Sequence, residues 1–254
     1  MARYLATVLS LAAVVTFGGC LGAYQLQPST LEYVRSSDVI VVVQQQEINA
    51  AIPGSNVAMI TGGGLIPALI DASIENEQAK TAQKLLAPVR DNLLDYNCPA
   101  MLKEKMENAL KEVDWLHARQ FAIERKAMPE WLPEHFEQSQ SSVILSVTAA
   151  YQLTADFTGI HMLCNIDMWP KDEQLREVSG AAERKDPVSL NNRIYRGQVE
   201  VMKKLDVGKL KGKAAIETLA ADNAAKVRQG LAQTADEAAL LIVKDLNKAV
   251  RRGK

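Results

Sequence analysis

DVIVVVQQQ, residues 38–46, decides how the rest of the chain is read. Val39 to Val43 are five consecutive β-branched residues, which favour an extended backbone and pack well on a pleated surface. Such a run leaves no polar face for water. It therefore reads as an interior strand, covered on both sides, and the rest of the chain must supply the sheet around it.

Three further strands follow from the pattern downstream. Residues 142–151 and 154–169 are rich in Val, Ile, Thr, Tyr and Phe, and a break near Gln152 and Leu153 makes them a hairpin. Residues 193–201 alternate Tyr195, Gly197, Val199 and Val201 against Arg196, Gln198 and Glu200, which predicts an antiparallel strand with one wet face.

Helices occupy the intervening stretches. A helix is predicted from Leu65 toward Asn97, with Pro67 in its first turn, Pro88 as a kink, and Leu85, Leu86, Val89 and Leu93 on one apolar face. A second, opened by Pro99, is predicted to run to residue 126. Residues 128–136 carry two prolines and two aromatics, so they read as an ordered connector that folds Trp131 and Phe136 over the core; a recognition patch is the alternative. Residues 170–190 are charged and turn-rich, a loop. From Ile216 to Leu246 apolar residues recur at steps of three and four, with Asn223 falling on the same stripe and Gly230 as the expected break.

Grouped strands with flanking helices predict an α+β (or α/β) fold, an antiparallel or mixed sheet of about four strands flanked by long amphipathic helices. The expected organisation is a signal at 1–19, a tether at 20–37 and one folded domain over 38–254, within a chain of 254 residues.

The tether reading comes from the N-terminus. Arg3 precedes an uncharged apolar run over 4–17, then Gly18, Gly19 and Cys20, the layout of an export signal. The run is shorter than the roughly 20 apolar residues that span a bilayer. Phe17-Gly18-Gly19-Cys20 resembles the bacterial lipobox, with Phe17 where the pattern usually has Leu. The resemblance implies cleavage before Cys20 and a diacylglyceride on its sulfur. Leu21, where an Asp would imply retention at the inner membrane, implies the periplasmic face of the outer membrane.

With Cys20 lipidated, Cys98 and Cys164 remain as an even pair and are a candidate disulfide; two separate buried thiols are the other reading. No second Cys or His stands at ligand spacing from either, so no metal is expected.

Gly62, Gly63 and Gly64, followed by Leu65 and Ile66, invite a phosphate-loop reading. It fails because no Lys-Ser or Lys-Thr follows the glycines. Burial of this segment against the sheet is the plain reading, and contact with membrane or with a second copy is the sharper one. Gly62 to Leu65, Ala68 to Asp71 and Ala87 to Asp91 resemble GGGL, ALID and APVRD stretches of bacterial envelope lipoproteins. The order of elements, with IYRGQVEV at 194–201, also resembles periplasmic domains of envelope-assembly lipoproteins, including the curli-secretion type.

Chemistry is sparse. Lys and Arg number 29 against 30 Asp and Glu, which speaks against nucleic acid. His117, His135 and His161 lie in no catalytic motif, the neighbours Asp156/His161 and Glu134/His135 read as ordinary surface charges, and Ser141, Ser142 and Ser146 have no visible base. No catalytic residue and no cofactor are expected. The favoured function is a non-enzymatic envelope interaction or assembly module, with the membrane, envelope proteins or further copies as partners and an oligomeric secretion accessory as one form of it. The alternative is a membrane-tethered hydrolase or ligand-binding protein with a pocket beneath residues 127–141.

Overall fold

The computed structural model describes residues 26–51, 73–182 and 186–251. In chain order its elements are α1 (Pro28–Leu31), β1 (Ser37–Val42), β2 (Asn49–Ala50), α2 (Ser73–Asp91), α3 (Cys98–Leu110), β3 (Ala118–Glu124), α4 (Met128–Gln138), β4 (Val143–Leu153), β5 (Gly159–Pro170), α5 (Glu173–Val178), β6 (Tyr195–Lys204) and α6 (Gly212–Arg251). The fold is α+β. The strands form one mixed sheet in the order β3-β1-β4-β5-β6, with β2 added beside β4. β1 runs parallel to both neighbours, and β4, β5 and β6 run antiparallel to one another.

β1 is interior and buried along its whole length, as its composition requires. Because side chains alternate across a strand, Val39 and Val41 enter the main core beneath α2, α3 and α6, whereas Ile40 and Val42 enter a smaller core with Trp131 and Leu132 of α4. Burial begins before β1: Leu26 and Val34 are 3% exposed, so the expected tether is part of the folded core from residue 26.

The sheet has six strands where about four were expected, and the additional ones are β2 and β3. Residues 118–124 read as the end of a helix, but α3 stops at Leu110, a 3-10 turn spans Asp114–Leu116, and His117 adopts a left-handed φ of 46°. That turn reverses the chain and lays β3 along the free edge of β1, where its backbone finds partners that local helical spacing could not offer.

Residues 128–138 form a helix in place of a connector. Pro129 stands in its first turn, where a missing N–H costs nothing, and Trp131 and Leu132 are buried on its inner face. The 170–190 stretch contains α5, capped by Asp172, whose carboxylate accepts from Leu175 N at 3.2 Å.

The break in α6 lies at residues 221–224, not at Gly230. Asp222, Asn223 and Ala224 have φ of 51°, 56° and 53°, and Asn223 is exposed, off the apolar stripe. Arg228 clamps the break by donating to Asn223 O at 2.8 Å and Asn92 O at 2.6 Å. Gly230 is buried inside the helix where it crosses the sheet. A Cβ there would come within 2.9 Å of Ile160 Cδ1, so any larger residue would have to push aside the terminal methyls of Ile160 and Leu205. Among the described residues no helix is long and apolar enough to cross a membrane.

Candidate functional site

Cys20 and the segment Gly62 to Ile66 lie outside the described residues. Cys98 and Cys164 are both free and buried, so the bridged reading gives way to two separate thiols. Cys98 opens α3 beside Tyr151, whereas Cys164 stands in mid-sheet between Ala149 and Val199. Burial pushes Cys98 up to about 11 and Cys164 up to about 12, so neither is a reactive thiolate at neutral pH.

The sequence-adjacent acid–base pairs do not form. Asp156 accepts from Thr154 Oγ1 and Thr158 Oγ1, each at 2.8 Å, and closes the β4–β5 turn. His161 faces Glu200 across the sheet at 2.6 Å. Glu134 accepts from Gln138, and His135 lies 3.5 Å from Glu124. Burial works to raise the Glu124 carboxyl, but the backbone N–H groups of Lys126 and Arg125, with His135, outweigh it and hold the group below the usual carboxylate range.

What the structure does bring together is a pocket on the α4 side of the sheet. β1 and β4 run parallel and start level, Ser37 opposite Val143, so their lead-in segments lie side by side. Ser142 Oγ accepts from Arg35 N at 2.9 Å and donates to Ser36 O at 2.8 Å, which joins them. α4 ends at Gln138, and the extended Ser139 then carries the chain back past the head of β1. Ser139 Oγ donates to Asp38 Oδ2 at 2.6 Å and Ser141 Oγ to Asp38 Oδ1 at 2.7 Å.

Beside this clasp lies a pocket of about 170 Å³. Ile40, Ala122 and Ile144 make its apolar floor, Gln120, His135 and Gln138 its polar wall, and Asp38 with Ser139 its acidic end. It sits beneath the 127–141 segment, where the ligand-binding alternative requires one.

Ser139, His135 and Asp38 share the pocket, but their wiring is not that of a nucleophilic triad. There the imidazole takes the serine proton and the carboxylate orients the imidazole. Here the serine donates directly to the carboxylate, while His135 faces Glu124 and meets the Trp131 ring edge-on at 5.5 Å. The arrangement is suited to recognition: one buried carboxylate, two side-chain amides and an imidazole over an apolar floor. Among the described residues no group of three or more His, Cys, Asp or Glu is placed to hold a metal ion. Sequence reasoning missed Asp38 and Ser139. The available signals were a charged residue opening an otherwise β-branched strand, and the serine-rich run 139–142 after a helix.

No protein-family model matches the chain, and no curated protein matches it. Two solved structures are similar over most of its length. One is a point variant of PelC from Paraburkholderia phytofirmans, described as a dodecamer: 11% identity, 83% of this chain and 89% of that one covered, TM-score 0.27. The other, from Helicobacter pylori, is described as a homologue of a neuraminyllactose-binding hemagglutinin: 11% identity, 85% and 86% covered, TM-score 0.28. At TM-scores this low neither likeness carries an argument about function.

Proposed function

We propose that this chain is a lipid-anchored protein of the bacterial envelope, held through Cys20 at the periplasmic face of the outer membrane, and that it acts there as a non-enzymatic binding or assembly module. The observation that carries the binding role is the unequal cover of the two sheet faces. α2, α3 and α6 seal one face with the main core. Among the described residues, the other carries the small cluster of Trp131, Leu132 and Trp169 under α4, and beyond it the exposed Gln198, Glu200 and Met202 of β6. A face that is walled by one short helix and lined with partly satisfied polar groups is a surface for recognition. The anchor is supported by the lipobox-like Phe17 to Cys20 and by the uncharged run before it.

A second reading, a tethered ligand-binding protein, is favoured by the pocket under α4. The wiring of Ser139 and His135 argues against the hydrolase form of it.

Intact mass spectrometry of the protein purified from its native membranes tests the anchor. A mature chain beginning at Cys20 with added acyl mass is expected. A chain beginning elsewhere and carrying no lipid would remove the anchoring part of the proposal.

A further inference from the structure

We infer that the pocket between β1, β3 and α4 binds an alkylammonium group, with the Asp38 carboxylate as its counter-ion. The inference rests on the α4 face being the binding face, and is independent of the lipid anchor.

Asp38 is 7% exposed, yet among the described residues its only polar partners are two hydroxyls. A carboxylate has about four acceptor positions, so the two serines leave acceptor capacity unused on a side chain that lines the pocket. Two neutral donors compensate a buried charge only in part, and a cation within hydrogen-bonding distance completes it. The neighbouring basic side chains are engaged elsewhere. Lys171 donates to Ser139 O and lies over the Phe136 ring, and His135 faces Glu124.

The remaining lining selects among cations. An ammonium has three donors; Asp38 takes one, and the side-chain oxygens of Gln120 and Gln138 are acceptors in the same pocket. The floor of Ile40, Ala122 and Ile144 suits an alkyl stem and offers nothing to an inorganic ion that must keep its water. A volume of about 170 Å³ admits an ammonium with a few carbons. That chemistry is shared by a free small amine and by the end of a lysine side chain.

The test is calorimetric titration of the full chain with n-butylammonium, using 1-butanol and butyrate as uncharged and anionic probes of the same length. Saturable binding of n-butylammonium about tenfold or more tighter than of 1-butanol is expected, because the ion pair supplies the difference. Amide chemical shifts of Ser139 and Ser141 should move with occupancy. Asp38→Asn should abolish the preference. Should that variant misfold by circular dichroism, Gln138→Lys, at an exposed position, should weaken n-butylammonium about tenfold by supplying an internal ammonium. Equal affinity for butylammonium and butanol, no saturable binding, or indifference to both substitutions would overturn the inference. N-acetyl-lysine amide, titrated in parallel, separates the sources: binding of it as tight as butylammonium assigns the site to a lysine side chain, and exclusion of it assigns a free amine. A chain found without lipid would leave these results unchanged, so the two proposals fail separately.

Discussion

Arg193 Nη1 donates to Asp167 Oδ1 at 2.7 Å, and the two side chains are only 9% and 10% exposed. Arg193 also donates through Nε to Leu190 O at 2.7 Å, so one guanidinium ties the segment entering β6 to the middle of β5. Burial pushes the Asp167 carboxyl up, and Arg193 offsets this only in part. The folded state therefore holds this proton more tightly than the unfolded chain does. The carboxyl's contribution to stability is complete below its unfolded pKa and is lost as pH rises through the raised folded value.

That pair yields a double-substitution prediction. Arg193→Met should destabilise by about 3–5 kcal/mol, because it strands a buried carboxylate. Arg193→Met with Asp167→Leu should recover most of the loss, since an apolar pair replaces a buried ion pair at little cost. Urea unfolding of the single and double variants decides this; a double variant as unstable as the single would show that the pair itself supplies the stability.

Gly230→Ala should destabilise in spite of alanine's better helix propensity, worth about 1 kcal/mol. The added Cβ would meet Ile160 Cδ1 at 2.9 Å and the Leu205 side chain closer still. Overpacking of this kind costs about 1–3 kcal/mol. A denaturation midpoint at or above that of the parent protein would mean that α6 can move off the sheet.

Asp222 is exposed and sits at φ 51° in the break of α6. Left-handed backbone costs an L-residue about 1–2 kcal/mol, less for Asp or Asn, and nothing comparable for Gly. Asp222→Gly should raise stability by up to about 1 kcal/mol, and Asp222→Val, whose β-branch fits this region worst, should lower it. Thermal unfolding of the two variants should bracket the parent; the reverse order would argue against a left-handed break.

The buried thiols predict both reactivity and alkaline lability. Neither Cys98 nor Cys164 should react with Ellman's reagent at pH 8 in the native protein, and both should react once guanidinium is added. An unfolded thiol ionises near 9.0, whereas burial holds Cys98 to about 11 and Cys164 to about 12. Between those pH values the unfolded chain binds fewer protons than the folded one, so stability falls as pH rises. Tyr96, pushed by burial up to about 12 from 10.0, acts in the same direction. The urea midpoint should be lower at pH 10 than at pH 8; equal midpoints would mean that the thiols are accessible in the folded state.

Much of the architecture was legible in the sequence because burial of a face leaves a local record. Val39 to Val43 have no polar side, so β1 had to be interior, and it is covered on both faces. The stripe from Ile216 to Leu246 and the alternation of β6 likewise report which side faces apolar neighbours.

Tertiary structure decided the rest, because spacing along one segment says that a face is buried and not against what. Residues 118–124 read as the tail of the helix opened by Pro99 and become β3 because the edge of β1 is open to them. The break in α6 falls at Asp222 and Asn223, which turns and caps tolerate, while Gly230 is kept for the room that Ile160 and Leu205 need. Cys98 and Cys164 form an even pair in the sequence and remain separate thiols because one opens a helix beside Tyr151 and the other lies in mid-sheet. The candidate site is the clearest case. Asp38 and Ser139 stand 101 residues apart and meet only because β1 and β4 run parallel and α4 returns the chain to the head of the sheet, a pairing that exists in the fold and has no trace in local pattern.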